Sequence, residues 1–260
     1  MYSKEHSDYL KTIKRNKIIV RFFQITLLIS LIIAWELLVK YKIINSFLTS
    51  SPSKIIETTI NLYINNNLLT HIFITTKEVI ISFLMASTLG ILIAGILWRY
   101  KTVSIILDPY LTIINSLPKV SLGPLIIIWI GANNKSIIFM ALLISLFTTI
   151  INMLNAFNNT DSSKIILLKS FNASKMQIFK KLVFRSNIKN LMNTLKINIS
   201  LTLIGVIMGE LLVSKEGLGY LITYGSQVFN LNLVITSIFI LGILSYLLYS
   251  LVEKIEKRIS

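Results

Sequence analysis

The sequence predicts an all-α, polytopic membrane protein of about six transmembrane helices. The 260 residues are 54% hydrophobic and only 14% charged, where an ordinary soluble domain is about a quarter charged. Three stretches hold no charge: Val79–Trp98 (20 residues), Ser136–Thr160 (25) and Leu218–Val252 (35). Each exceeds the ~18 apolar residues that read as a membrane span. The charges sit between these stretches, so the net charge of +15 reads as the positive-inside bias of membrane loops and not as a nucleic-acid footprint. Cysteine is absent, which excludes disulfides and thiolate metal sites.

The elements follow in order. A polar, basic tail over 1–17 leads into span one, about Ile18–Val39. Six Lys and Arg fall within 1–21 and no small-residue cleavage site follows, so this segment reads as a retained anchor. Between 40 and 71, Ser51 or Ser53 starts a short helix with Pro52 at its first turn. Its apolar positions Ile56, Ile60 and Tyr63 predict that it lies on the outer membrane surface. Span two is about Ile72–Trp98, and Arg99–Lys101 make a tight turn. Span three, about Val103–Ile130, is expected to break at Pro109, Pro118 and Pro124, because proline removes a helical hydrogen bond. Such breaks are tolerated at membrane depth where they line protein or a cavity. Span four is about Ser136–Ala156, span five about Leu191–Val213 and span six about Leu231–Val252. Residues 18–252 thus form one membrane domain, and 253–260 a second tail.

Charge sets the expected orientation. Of the 26 Lys and Arg, 18 fall in 1–21, 99–101, 157–190 and 254–258. At most seven fall on the other side or within the membrane, with Lys196 inside span five. An even number of spans and this bias put both termini on the cytoplasmic side of the membrane.

The loop 157–190 is the chain's longest polar connection. Asp161 is placed to cap a helix start. Ile165, Leu168, Met176, Phe179, Leu182 and Val183 recur at helical spacing, with Lys164, Lys169, Lys175, Lys180 and Lys181 on other faces. Asn172 is the best residue after Gly for a left-handed helix stop. Ser174 and Gln177 form a capping box that starts a second helix. The loop therefore reads as helix, turn, helix. Periodicity alone leaves two uses for it: resting on anionic lipid or docking a partner.

The run "KSFNASKMQIFKKLVF" (Lys169–Phe184) followed by "LIGVIMGELLVSKEGLGYLI" (Leu203–Ile222) resembles the permease subunit of type I ABC importers, in the nitrate/sulfonate/taurine branch. "WELL" at Trp35–Leu38, "SPSKII" at Ser51–Ile56, "LDPYL" at Leu107–Leu111 and "SLPKVSLGPLIIIWIG" at Ser116–Gly131 fall in the same order, so the likeness covers most of the chain. The resemblance implies a MetI-like fold and a homodimer with the pathway at the subunit interface. It also implies two separate ATPase subunits that use ATP and Mg²⁺, and an extracytoplasmic solute-binding protein. It makes the loop the segment that couples the ATPases to the membrane helices, through Leu168, Phe171, Asn172, Ala173, Ser174, Lys175, Met176 and Phe179. The sequence departs from the family pattern at three places. Ile166, Leu167 and Leu168 stand where Glu-Ala-Ala is usual. Asn172 stands at a Gly, a mild change because both accept the left-handed conformation. Phe184 and Arg185 replace Leu-Pro, which removes the proline that would break the helix near Arg185. The expectation is a coupling element retained but divergent.

No Gly-rich loop ends in Gly-Lys-Ser/Thr, so the chain itself holds no ATP and no cofactor. His6 and His71 have no metal-ligand spacing, and no nucleophile motif is present, so the chain is not read as an enzyme. Polar residues within spans are candidates for the translocation pathway: Ser116, Pro118, Lys119, Asn198, Ser200 and Glu210. Against that, Lys119 is open to snorkelling, Glu210 to a structural bond near the end of span five, and Glu36 to an interfacial position. "SKEGLGYLI" reads as a shaped turn with a short re-entrant helix. The branch resemblance admits sulfonates, taurine, nitrate, bicarbonate or thiamine-precursor pyrimidines as solute. A secondary transporter or a membrane scaffold is the rival reading. The first needs several ionisable residues lining a pathway, and the second needs neither a broken span nor a docking loop.

Overall fold

The computed structural model describes residues 4–65 and 67–259, with side chains from Thr12 onward. Residues 1–3 of the expected tail, the His6 side chain, Asn66 and Ser260 lie outside the described residues. Thirteen α-helices follow in order among those residues: α1 (Lys4–Lys40), α2 (Ser46–Thr49), α3 (Pro52–Asn65), α4 (Leu68–Arg99), α5 (Lys101–Ser116), α6 (Gly123–Ile130), α7 (Asn134–Asn158), α8 (Ser162–Ser170), α9 (Lys175–Ile178), α10 (Phe184–Ser186), α11 (Ile188–Val213), α12 (Leu218–Gln227) and α13 (Leu231–Ile259). Five of them are long and apolar enough to cross a membrane: α1, α4, α7, α11 and α13. The pair Lys101–Ser116 and Lys119–Ile130, bent by 83°, is a sixth candidate, as one broken span or as a re-entrant loop.

The bundle is organised around α7, which packs along both α4 and α11. Lipid is as apolar as leucine, so burial alone does not join helices in a membrane, and close backbone packing must do it. Gly205 and Gly209, the small residues of "GVIMG", allow that approach. A Cβ at Gly205 would lie 2.5 Å from the Ala141 Cα, and one at Gly209 would lie 2.9 Å from the Ile137 Cα. On the α4 side, a Cβ at Gly90 would meet Thr149 Cγ2 at 2.6 Å. Glycine lets both neighbours sit against α7 at backbone distance.

The end of α11 is stapled by a buried carboxylate. Glu210, 1% exposed, accepts from the Thr75 hydroxyl at 2.6 Å and from the Gly219 N–H at 2.6 Å. Thr75 Oγ1 in turn accepts the Leu218 N–H at 2.9 Å, and His71 Nδ1 accepts the Gly217 N–H at 3.0 Å. Gly217 has φ +106°, and a side chain there or at Gly219 would run into the carboxylate. The turn after α11 is thus bonded back onto α4, and α12 packs on α13 and α11.

The remaining helices are laid on this core. Lys196 of α11 pairs with Glu256 of α13 at 2.8 Å. Trp35 of α1 stacks on Phe239 of α13 at 5.8 Å. The most apolar window of α1 has no buried residue, so that helix contributes surface and little core. Glu36 reaches from α1 to cap α3, accepting the Ser53 N–H at 3.0 Å and its hydroxyl at 2.8 Å. Ile56, Ile60 and Tyr63 of α3 point away from the protein, as an outward lipid-facing stripe requires.

Several boundaries differ from expectation. α1 begins at Lys4 and α13 runs to Ile259, because the basic tails have ordinary helix formers and no stop signal. The uncharged run Leu218–Val252 divides as expected, into a short helix and a span that starts at Leu231, with Phe229 at φ +55° between them. Pro109 sits inside the continuous α5, and Pro124 occupies the first turn of α6, where its missing N–H is harmless. Only Pro118 coincides with the break.

Two outcomes test this packing. Gly205→Ala should lower the stability of the purified protein by about 2 kcal/mol, the scale of an overpacked core. Gly242→Ala, where a Cβ meets nothing within 4 Å, should change it by less than about 0.5 kcal/mol. Glu210→Ala orphans two buried donors and should cost about 3 kcal/mol, with Glu210→Gln costing about 1 kcal/mol because one acceptor oxygen remains. Thermal unfolding in detergent measures each.

Candidate functional site

The basic loop folds as its local signals dictate. Asp161 caps α8 by accepting the Ser163 N–H at 2.9 Å. At the other end Asn172 adopts φ +55°. Its N–H bonds the Lys169 carbonyl at 2.9 Å, and the Ala173 N–H reaches back to the Leu168 carbonyl at 3.1 Å, the pair of bonds that defines a Schellman stop. Ser174 then opens α9. The Gln177 N–H donates to Ser174 Oγ at 3.3 Å and Gln177 Oε1 accepts the Ser174 N–H at 2.8 Å. Residues Phe179–Val183 continue as a π-helical turn into α10, and Asn187, at φ −103° and ψ 13°, breaks the helix before α11.

The element has two faces. Leu168, Ala173, Ile178, Phe179, Val183 and Phe184 pack against a cluster at the ends of α4 and α7, formed by Ala94, Leu97, Met153, Leu154 and Phe157. Phe179 lies 5.3 Å from Trp98 and 5.2 Å edge-on from Phe157, ring centre to ring centre, and each such aromatic pair contributes about 1 kcal/mol beyond its buried area. The opposite face is open. Ile166, Leu167, Phe171 and Met176 are 64%, 56%, 74% and 47% exposed, and Asn172, Ser174 and Lys175 lie beside them at the surface. Of the eight residues expected in the element, Leu168, Ala173 and Phe179 therefore anchor it, while Phe171, Asn172, Ser174, Lys175 and Met176 are presented outward.

The base of the loop is closed by a residue that the spacing did not single out. The Asn187 side-chain amide, 5% exposed, donates to Thr160 Oγ1 at 2.9 Å and to the Val183 carbonyl at 2.9 Å. It ties the start of the loop to its end. The helix break that a proline near Arg185 would impose is made two residues later by this asparagine.

The polar residues of the spans divide into two groups. At the 83° bend, Ser116 and Pro118 are exposed and Lys119 is half-buried. Lys119 does not snorkel outward. It folds back along α5 and donates to the Asn115 side-chain and backbone oxygens at 3.0 and 3.2 Å, while Thr148 of α7 also donates to Asn115 Oδ1 at 3.1 Å. The second group is interior. Asn198 is 1% exposed and donates to Ser87 Oγ of α4 at 2.6 Å. Glu210 is the staple already described, and Ser200 bonds back to the Lys196 carbonyl at 3.4 Å. No hydrogen bond joins the two groups among the described residues, and neither Asn198 nor Glu210 faces open space. Glu78 was missed from the sequence: it is 3% exposed and lies against the Glu210 carboxyl. The signal was present in the stripe His71, Thr75, Glu78, Ser82, polar at helical spacing on one side of α4.

Comparison with known proteins bears on the family and the fold. The formylaminopyrimidine transport permease protein ThiX of Halalkalibacterium halodurans is 27% identical over 226 residues, 87% of this chain and 90% of that protein. A Bacillus subtilis protein assigned as an aliphatic sulfonates transport permease, SsuC, is 24% identical over 234 residues, 90% of this chain and 85% of that protein. Among solved structures, an inward-facing form of the MetNI methionine ABC transporter superposes with a TM-score of 0.66 at 17% identity, covering 74% of this chain and 96% of that one, which is a likeness of fold. The profile of the family described as "Binding-protein-dependent transport system inner membrane component" matches residues 86–260, more than half of the sequence, and the chain belongs to that family.

Proposed function

We propose that the chain is the membrane subunit of an ATP-driven importer, and that residues 157–190 are the part its ATPase grips. The carrying observation is the two-faced element itself. One face is fixed to the ends of α4 and α7, and the other presents Ile166, Leu167, Phe171 and Met176 to solvent. Four exposed apolar side chains on a basic helical element are a docking surface, since exposed apolar clusters of this kind mark partner contacts. Because the anchored face is continuous with the span ends, a push on the open face moves α4 and α7 directly.

The finer assembly is proposed by likeness to the family. Two copies of the chain enclose the pathway, two ATPase subunits bind at the basic end, and a solute-binding protein delivers solute at the other. ATP and Mg²⁺ act in the ATPases. ATP binding draws the two coupling elements together and opens the pathway toward the binding protein, and hydrolysis resets it. The excess of Lys and Arg at the loop end supports a cytoplasmic location for that end and for both termini, in a bacterial cell membrane like that of the relatives. The solute is a small organic molecule of the kind carried by the sulfonate and formylaminopyrimidine relatives. The bend, with Ser116, Pro118 and Lys119, is the part of the chain best placed to meet it, and Lys119 favours an anion. Asn198, Ser200 and Glu210 act by holding α11 in position beside that route.

Co-purification with the cognate ATPase tests the docking. Phe171→Glu combined with Leu167→Glu should remove the ATPase from the complex, because each buried aromatic or aliphatic anchor is worth about 2 kcal/mol. The unfolding midpoint of the membrane chain alone should stay unchanged, since both residues are exposed. Normal assembly and normal solute-stimulated ATP hydrolysis in that variant would contradict the reading. In the same assay Asn172→Gly should behave as wild type. Asn172→Val should cost about 1–2 kcal/mol, the penalty for a side chain in the left-handed region.

A further inference from the structure

Two cavities adjoin where α4 meets the coupling element. The first, about 260 Å³, is apolar and is walled by Leu92, Gly95 and Ile96 of α4 and by Met176, Phe179 and Phe184. Leu92, Gly95, Ile96 and Arg99 follow one another at helical spacing on one side of α4, so the groove runs lengthwise along its last two turns. Gly95 gives the groove its floor, since a Cβ there would meet the Phe179 ring at 3.1 Å. Leu92 and Ile96 are 62% and 56% exposed, so the groove opens toward the hydrocarbon beside the span. It ends at Arg99, the last residue of α4.

The second cavity, about 400 Å³, begins there. It shares Trp98, Arg99 and Lys175 with the first and adds Lys101 and Lys169, with the Thr160 and Ser162 hydroxyls. Four cations thus line it, and no Asp or Glu lines either cavity. A small soluble anion would satisfy the cations and leave the groove empty. A neutral acyl chain would fill the groove and leave the cations unneutralised. A molecule with a phosphate attached to an acyl chain satisfies both, and the groove meets the cations where a span leaves the membrane, the depth at which a phospholipid headgroup lies.

We propose that this pair of cavities is a binding site for an anionic phospholipid, its chain along Leu92, Gly95 and Ile96 and its phosphate against Arg99 and Lys175. The lipid bridges α4 to α9, because Lys175 and Met176 belong to the coupling element. It adds a lipid contact to the packing that already seats that element on α4. Lys175 and Met176 also lie on the face proposed to dock an ATPase, so lipid retention is read on the membrane chain alone, and loss of lipid and loss of docking are separate measurements.

The full-length protein in detergent, examined by native mass spectrometry with dioleoyl phosphatidylglycerol or dioleoyl phosphatidylcholine, tests the site. Wild type should retain phosphatidylglycerol preferentially. Arg99→Gln with Lys175→Gln should weaken that retention about 30-fold, from about a fivefold contribution per cation. Ile96→Trp, which fills the groove at an already exposed position, should weaken it with all cations intact. The unfolding midpoint of each variant distinguishes loss of the site from loss of the fold. Equal retention of the two lipids, or undiminished phosphatidylglycerol in a folded R99Q/K175Q protein, overturns the proposal. So does displacement of the lipid by sn-glycerol 1-phosphate, which would mark a soluble-phosphate site. Loss of ATPase association in that variant with lipid retention intact also overturns it and assigns the cations to the ATPase.

Discussion

Everything in the bundle depends on how closely α7 is approached by its two neighbours. Hydrophobic burial does not distinguish a helix partner from lipid, so the arrangement must come from shape. At Gly205 and Gly209 the backbone of α11 lies against Ala141 and Ile137, and at Gly90 the backbone of α4 lies against Thr149. Three glycines therefore place three spans. The two ends of that unit carry the features that give the protein its use: at one end the staple of Glu210 on the turn before α12, at the other the aromatic seat of the coupling element.

The seat converts a loop into an extension of the spans. Phe157 ends α7, Trp98 ends α4, and Phe179 lies against both. Asn187 closes the base by bonding Thr160 across the loop. An element held at its base and along one face has little freedom to move independently of α4 and α7. A divergent sequence on the open face, with Ile166 and Leu167 where the family carries polar and small residues, leaves this mechanical continuity untouched. Under the proposed docking it alters only the surface that the partner must match.

What the sequence revealed was local. Asp161, Asn172 and the Ser174–Gln177 pair act on backbone groups within five residues, so their roles were legible from spacing, and each makes the bond expected of it. The five unbroken spans and the bend at Pro118 were legible from hydropathy and proline chemistry. What escaped was long-range. Thr75 meets Glu210 across 135 positions and Asn187 meets Thr160 across 27, and no spacing rule pairs residues so far apart. The proline arguments overreached for the same reason: Pro109 and Pro124 are tolerated by context, one within α5 and one at the first turn of α6. Glu210 and Asn198 attracted a pathway role because they are polar in a span. Only their partners on α4 disclose that they face another helix.

The central claim is that the coupling element moves as one body with the spans. The chain has no cysteine, so a Thr88→Cys/Ser170→Cys pair can carry two spin labels without altering the background, and both positions are exposed. Pulsed electron paramagnetic resonance on the reconstituted complex, with and without ATP, reads the distance between α4 and the end of α8. With labelled chain diluted into unlabelled chain, so that only the distance within one copy is read, the account predicts one narrow distance distribution whose mean does not change with nucleotide. A broad distribution, or a shift of the mean on ATP binding, would contradict it.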